Sequence, residues 1–232
     1  EPFAGRLHDP DRLVGEMDAY GLDGLVVSSE RNLFYLTGFN PIAHKADEPR
    51  PYALIISRDA PGEAILVIAD YYLGHLAKLP LWVQDVRPVR AVMVPMDLPF
   101  RADCLDRFLP AEAAQAPWLA KTRSRYSDSS FADICQGALS DLNLGGTKRI
   151  GFDDLRLGHK LGLPGGQIAD AYDPLMACRA IKTKLEVELI RTATRINQNA
   201  IEHTVGQWTE GMTWRQLNHE YHMAVMTQGG FV

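Results

Sequence analysis

Apolar residues recur along the chain in two alternating rhythms, short continuous runs and helical stripes. After Asp9-Pro10, which can cap and start a helix, Leu13, Val14, Met17 and Tyr20 share one face that Gly21 closes. "GLVVSS" (24–29) follows, too short for a helix and rich in valine, and so predicts a buried strand. "PYALIIS" (51–57) and "EAILVIA" (63–69) predict two more strands, joined by the turn chemistry of "RDAPG". A short helix is expected within 70–79, and weaker strands at "WVQDV" (82–86) and "AVMVP" (91–95). Residues 111–127 lose the pattern and read as a surface connection.

The rhythm resumes at 128–144, where Phe131, Ile134, Cys135, Ala138, Leu139 and Leu142 form one helical stripe that "LGG" stops. "KRIGFDD" (148–154) predicts a strand arriving at a polar end, and "LGLPGGQIADAYDPL" (161–175) a glycine-rich turn, a short strand and a proline. Strands alternating with helices indicate an α/β domain with a parallel or mixed sheet flanked by helices, over residues 1–174. Beyond Asp173-Pro174 the pattern is purely helical. Thr183-x-x-Glu186 and Thr213-x-x-Gln216 are capping boxes. The first opens a helix with Leu189, Ala193, Ile196 and Ala200 in register, the second a helix with Leu217, Tyr221, Ala224 and Val225, halted by Gly229-Gly230. Two helices over 175–232 have little to bury their stripes against, so this second domain is expected to be incomplete.

Composition narrows the function classes. Of the 232 residues, 46% are hydrophobic and 23% charged, as in ordinary globular proteins. A formal charge of −5, with no Lys/Arg run, offers no face for nucleic acid. No apolar run approaches the roughly 18 residues of a membrane helix, and the N-terminus lacks a signal-peptide pattern. Cys104, Cys135 and Cys178 are widely spaced without a CxxC pair, which reads as buried reduced thiols in a cytoplasmic protein.

Candidate chemistry is sparse. His219, Glu220 and His222 lack the HExxH spacing, and on a helix Glu220 points away from both histidines. Asp153-Asp154 ends a predicted strand, where neighbouring side chains diverge; a turn or helix cap is the expected role. No GxSxG elbow, phosphate loop or GxGxxG is present. One loop stands out in "SSERNLFYLTGFNPIAHKADEPRP" (28–51). A short aromatic helix runs into Thr37-Gly38-Phe39, and a polar loop bearing His44, Lys45, Asp47, Glu48 and Arg50 follows between prolines 41, 49 and 51. A proline-stiffened loop of cations can reach a carboxylate-bearing partner.

Three stretches carry a resemblance. "RNLFYLTGF" resembles the asparagine–tyrosine–threonine-glycine-phenylalanine motif of the creatinase/prolidase N-terminal domain. "RAIKTKLEVELIRTATRINQNAI" is similar to the Arg-x-Ile-Lys-x-x-x-Glu opening helix of the α+β "pita-bread" catalytic domain in the same M24-type enzymes, and "GMTWRQL" to the Gly-x-Thr-x-x-x-Leu start of its next helix. The resemblance implies a full N-terminal domain followed by only the opening helices of the catalytic one. Xaa-Pro aminopeptidases, prolidases and creatinases make up the family. Its peptidases hold two divalent metals (Mn, Co or Zn) with two aspartates, a histidine and two glutamates, and the metals activate water and polarise the scissile carbonyl.

All those ligands are expected beyond Val232, so no metal ligand or catalytic residue is assigned here. The expected parent is a cytoplasmic, homodimeric Xaa-Pro dipeptidase or aminopeptidase acting on proline-containing dipeptides or short peptides. This portion would shape the substrate cleft and the dimer, and be inactive alone. By position His44, Lys45, Asp47 and Arg50 would line the neighbouring subunit's substrate cleft, although the loop does not match creatinase's sequence. The same fold also admits creatinase-like metal-independent C–N hydrolysis, or a non-catalytic peptide-binding module.

Overall fold

The computed structural model describes residues 6–41, 50–90, 101, 105, 109, 111 and 116–230. The chain divides into two compact units, Glu1–Ile181 and Lys182–Val232.

The first unit is built on a six-stranded mixed sheet. Its strands are β1 (Gly24–Val27), β2 (Tyr52–Ser57), β3 (Ile65–Ala69), β4 (Asp85–Val89), β5 (Ile150–Phe152) and β6 (Ile168–Asp170), in the order β4-β3-β2-β1-β5-β6. The β1–β2 and β2–β3 pairs are antiparallel; β3–β4, β1–β5 and β5–β6 are parallel. β1 and β2 are buried along their whole length, which is why both read as unbroken apolar runs rather than alternating ones. Pro88 lies in β4, an edge strand, where its missing N–H costs no internal ladder bond.

Helices cover both faces. Val26, Ile55, Val67, Ile150 and Phe152 point to one side and pack with Cys135, Ala138 and Leu139 of α5 (Phe131–Asp141) and Leu157 of α6 (Leu155–Lys160). Burying a side chain such as Phe152, fully enclosed here, contributes about 2–3 kcal/mol. The opposite face carries α1 (Pro10–Ala19), α2 (Glu30–Thr37) and α7 (Tyr172–Ala180). A Cβ on Gly151, whose strand neighbours face α5 and α6, would stand 3.1 Å from the Cβ of Ala171 at the head of α7. α7 packs along α1, and Tyr35 of α2 donates from its hydroxyl to the Cys178 carbonyl of α7 at 3.3 Å.

Several elements differ from the sequence expectation. The stretch read as a surface connection contains α4 (Leu119–Arg125), whose Trp118, Leu119 and Thr122 are buried; Thr122 Oγ1 donates to the Val86 carbonyl at 2.9 Å. A single turn and a half of apolar contact is too short to register as a period. β4 starts three residues later than "WVQDV" predicts, because Asp85 and Arg87 pair with each other inside the strand and read as polar. The 70–79 helix is a 3-10 turn (Asp70–Tyr72) running into the one-turn α3 (Leu73–Leu76). "AVMVP" lies outside the described residues. Pro174 sits inside the first turn of α7, where the leading N–H groups of a helix have no partner to lose. The first compact unit includes α7 and runs to Ile181.

The second unit is a hairpin of α8 (Lys184–Gly206) and α9 (Trp214–Thr227). Both N-termini carry the reciprocal capping boxes read from sequence: Thr183 with Glu186, and Thr213 with Gln216. Its buried core is small, Ala200, Ala224 and Val225, flanked by Ile196 and Tyr221. Ile190, Ile201, Val205, Trp208, Trp214, Met223 and Met226 are exposed. Ile201, Val205, Trp208, Trp214 and Leu217 line an apolar hollow of about 490 Å³. No helix among the described residues is long and apolar enough to cross a membrane.

Candidate functional site

β1 and β5 run parallel side by side, yet the helices that follow them depart to opposite faces: α2 to the side of α7, α6 to the side of α5. Such divergence opens a crevice at the carboxyl ends of the two strands, the place where α/β sheets admit ligands. The crevice is built around Asp153, the residue after β5. Its carboxylate accepts from the Ser28 and Ser29 backbone N–H groups at 2.8 and 2.9 Å, from the Ser29 hydroxyl at 2.6 Å and from Asn32 Nδ2 at 3.1 Å. It thus pins the end of β1 and the first turn of α2. The adjacent Asp154 turns away and caps α6, accepting from Arg156 N at 3.0 Å. The Arg156 guanidinium beside it holds the Asp154 carboxyl below its usual range, with burial opposing. The acidic pair is thus divided between an inter-element clamp and a helix cap, as the divergence of neighbouring strand residues requires.

From Asp153 a chain of polar contacts continues outward. Asn32 accepts at Oδ1 from Arg179 Nη1 at 3.2 Å, and the Arg179 guanidinium lies 5.6 Å from the centre of the Tyr35 ring. The rest of the "NLFYLTGF" motif closes α2. Thr37 Oγ1 donates to the Leu33 carbonyl at 2.7 Å and accepts from Phe39 N at 3.1 Å. Gly38 takes φ +74, the left-handed conformation that ends the helix, and Phe39 is buried edge-on against Tyr72 at 5.3 Å. Each motif residue has a structural partner within this unit.

Arg50 stands at the rim, donating from Nη1 to the Ser28 carbonyl at 3.2 Å, and borders cavities on both sides of the crevice. The larger, about 570 Å³, is walled by Arg31, Arg50 and Arg179 on its polar side and by Tyr172, Leu175 and Met176 of α7 on its apolar side. Of the loop residues selected from sequence, Arg50 borders this crevice, while His44, Lys45 and Asp47 lie outside the described residues. The Asp153–Asn32–Arg179 chain was missed. Its members are 121 and 147 residues apart, and only the arrangement of β1, β5 and α7 joins them. A sequence signal existed, since Asn32 and Arg179 both belong to the stretches that carry the family resemblance.

Other candidates do not assemble. Among the described residues no three His, Cys, Asp or Glu side chains converge as a metal set, His219, Glu220 and His222 included. The described residues therefore offer no donor set for a divalent metal. Cys135 and Cys178 are free and buried; burial pushes the Cys135 thiol up to about 12 and also raises that of Cys178. Neither is an activated nucleophile.

Several solved structures share this fold. Xaa-Pro dipeptidase from Bacillus anthracis superposes with a TM-score of 0.61 over 94% of this chain at 14% identity. X-Pro aminopeptidase from Thermotoga maritima gives 0.61 over 95% at 18%, and recombinant prolidase from Thermococcus sibiricus 0.62 over 95% at 16%. The chain spans about half the length of each, 48%, 49% and 49%. No curated protein matches it by sequence. The profile described as "Creatinase/Prolidase N-terminal domain" matches residues 11–181, which takes in the whole sheet and both ends of the Asp153–Asn32–Arg179 chain. With that motif on α2 and this sheet order, the chain belongs to the creatinase/prolidase N-terminal domain family.

Proposed function

We propose that the chain is the N-terminal portion of a Xaa-Pro peptidase of the prolidase or aminopeptidase P kind, acting on proline-containing dipeptides or short peptides. In this reading the first unit shapes the substrate cleft and the homodimer of a cytoplasmic enzyme. The loop of His44, Lys45, Asp47 and Arg50 reaches the cleft of the neighbouring subunit, and two divalent metals are held by the longer protein rather than by this chain. One observation carries it: the fold likeness to Xaa-Pro peptidases extends over nearly the whole chain, hairpin included, while covering about half of theirs.

The test is to read the gene past the Val232 codon and express the longer product. The reading expects strands bearing aspartates, then a histidine and two glutamates, with manganese-stimulated hydrolysis of Gly-Pro or Ala-Pro. A longer product that binds no metal and hydrolyses a guanidino compound instead would replace this reading with a creatinase-like one.

A further inference from the structure

The hairpin of α8 and α9 has a face that its own small core leaves uncovered. Trp208 and Trp214 are 58% and 80% exposed, Ile201 and Val205 49% and 68%, and all four border the apolar hollow of about 490 Å³. Among the described residues no charged side chain lines that hollow. Two polar groups in its wall are turned to their own hairpin: Thr204 Oγ1 donates to the Ala200 carbonyl at 2.7 Å, and the Tyr221 hydroxyl to Asn197 Oδ1 at 2.8 Å. An ionic ligand therefore finds no counter-charge there. Over residues 182–232 five Lys/Arg offset five Asp/Glu, so the unit presents neither a cationic stripe for a lipid surface nor net repulsion between copies.

The exposed area suits a second copy of the same face. A covered tryptophan buries up to about 250 Å², so the four side chains at their exposures offer about 500 Å² per chain and about 1,000 Å² in a pair. That reaches the lower limit of a specific interface. Shape agrees with area. Trp214, the first residue of α9, stands beside the hollow, so a projecting group and a recess share one face, as a two-fold contact requires.

We propose that two copies of the chain pair hairpin to hairpin about a two-fold axis, each Trp214 seated in the other's hollow, forming a four-helix arrangement. Pairing gives the apolar stripes of α8 and α9 the cover that two helices cannot give each other. This contact is independent of the peptidase reading, in which the first unit builds the homodimer.

The test is analytical ultracentrifugation of the 232-residue chain, expected to show monomers at about 1 µM and dimers at about 100 µM. Trp214→Glu and, separately, Val205→Lys should each weaken pairing at least about tenfold. Both positions are exposed, and each new charge suits the dipole of its helix end, so the far-UV spectrum should stay unchanged. Met226→Glu, exposed and away from the hollow, should pair as the parent chain does. A chain still monomeric at about 100 µM would overturn the proposal, whether or not phosphatidylcholine vesicles shift its tryptophan emission. So would dimers that persist in both charged variants, which would move the contact to the first unit, an equal loss in Met226→Glu, or open-ended growth beyond the dimer.

Discussion

Single residues hold this fold at polar points that composition hides. Asp153 satisfies donors from two elements at once, so Asp153→Ala should leave buried N–H groups unpaired and cost about 2–3 kcal/mol in a denaturant titration. Asp154→Ala removes only a cap and should cost about 1 kcal/mol. Equal losses in the two variants would contradict the division of labour between the neighbours. His8 is the second such point. It is 4% exposed, lies 6.0 Å from both the Tyr35 and Trp82 ring centres, and its Nδ1 has no hydrogen-bond partner among the described residues.

Burial first, then the nearby Arg6 charge, lowers the His8 imidazole from 6.5 to about 4, against the opposing influence of the Tyr35 backbone and Asp9. The unfolded chain takes up the proton near pH 6.5 and the folded one near 4. Stability is therefore full above about pH 6.5 and falls as pH drops toward 4, by about 3 kcal/mol in all. His8→Gln should flatten that slope; an unchanged slope between pH 6.5 and 4 would show that other groups set it. Neither residue announced its role in the sequence. Asp153 reads as half of a polar strand end because partners more than 100 residues away are invisible to local pattern, and the burial of His8 leaves no local signal.

At the scale of elements, legibility followed length and burial. β1, β2, β3, α5, α8 and α9 all arise from runs or stripes long enough to show a period. α4, α6 and α7 did not, since helices of six to nine residues, α6 with Gly158 and α7 with Pro174 inside them, look like loop until a neighbouring surface covers them. Mixed pairing was predictable in class, but the β1–β5 adjacency that creates the crevice was not, because it joins strands 123 residues apart. α2 was legible as a half-helix, and its stop is testable: Gly38 has open space around a would-be Cβ, so Gly38→Ala isolates backbone strain. It should cost about 1–2 kcal/mol, with Gly38→Asn milder. No loss in Gly38→Ala would mean that the helix end adjusts freely.

For the molecule as a whole, the exposed apolar surface of the hairpin sets how the chain behaves in water. The hairpin exposes Trp208 and Trp214, 58% and 80% accessible, and aromatic side chains of that size are seldom left in water without a partner. The purified chain should therefore either self-associate in light scattering or enhance the fluorescence of an apolar dye; a monomer that does neither would contradict the account of an incomplete second domain. Its central claim is that bond cleavage belongs to residues other than these 232. The most direct test is to incubate the chain with Gly-Pro and manganese and follow release of free proline. The account predicts no release above the buffer rate, whereas sustained metal-dependent turnover would contradict it.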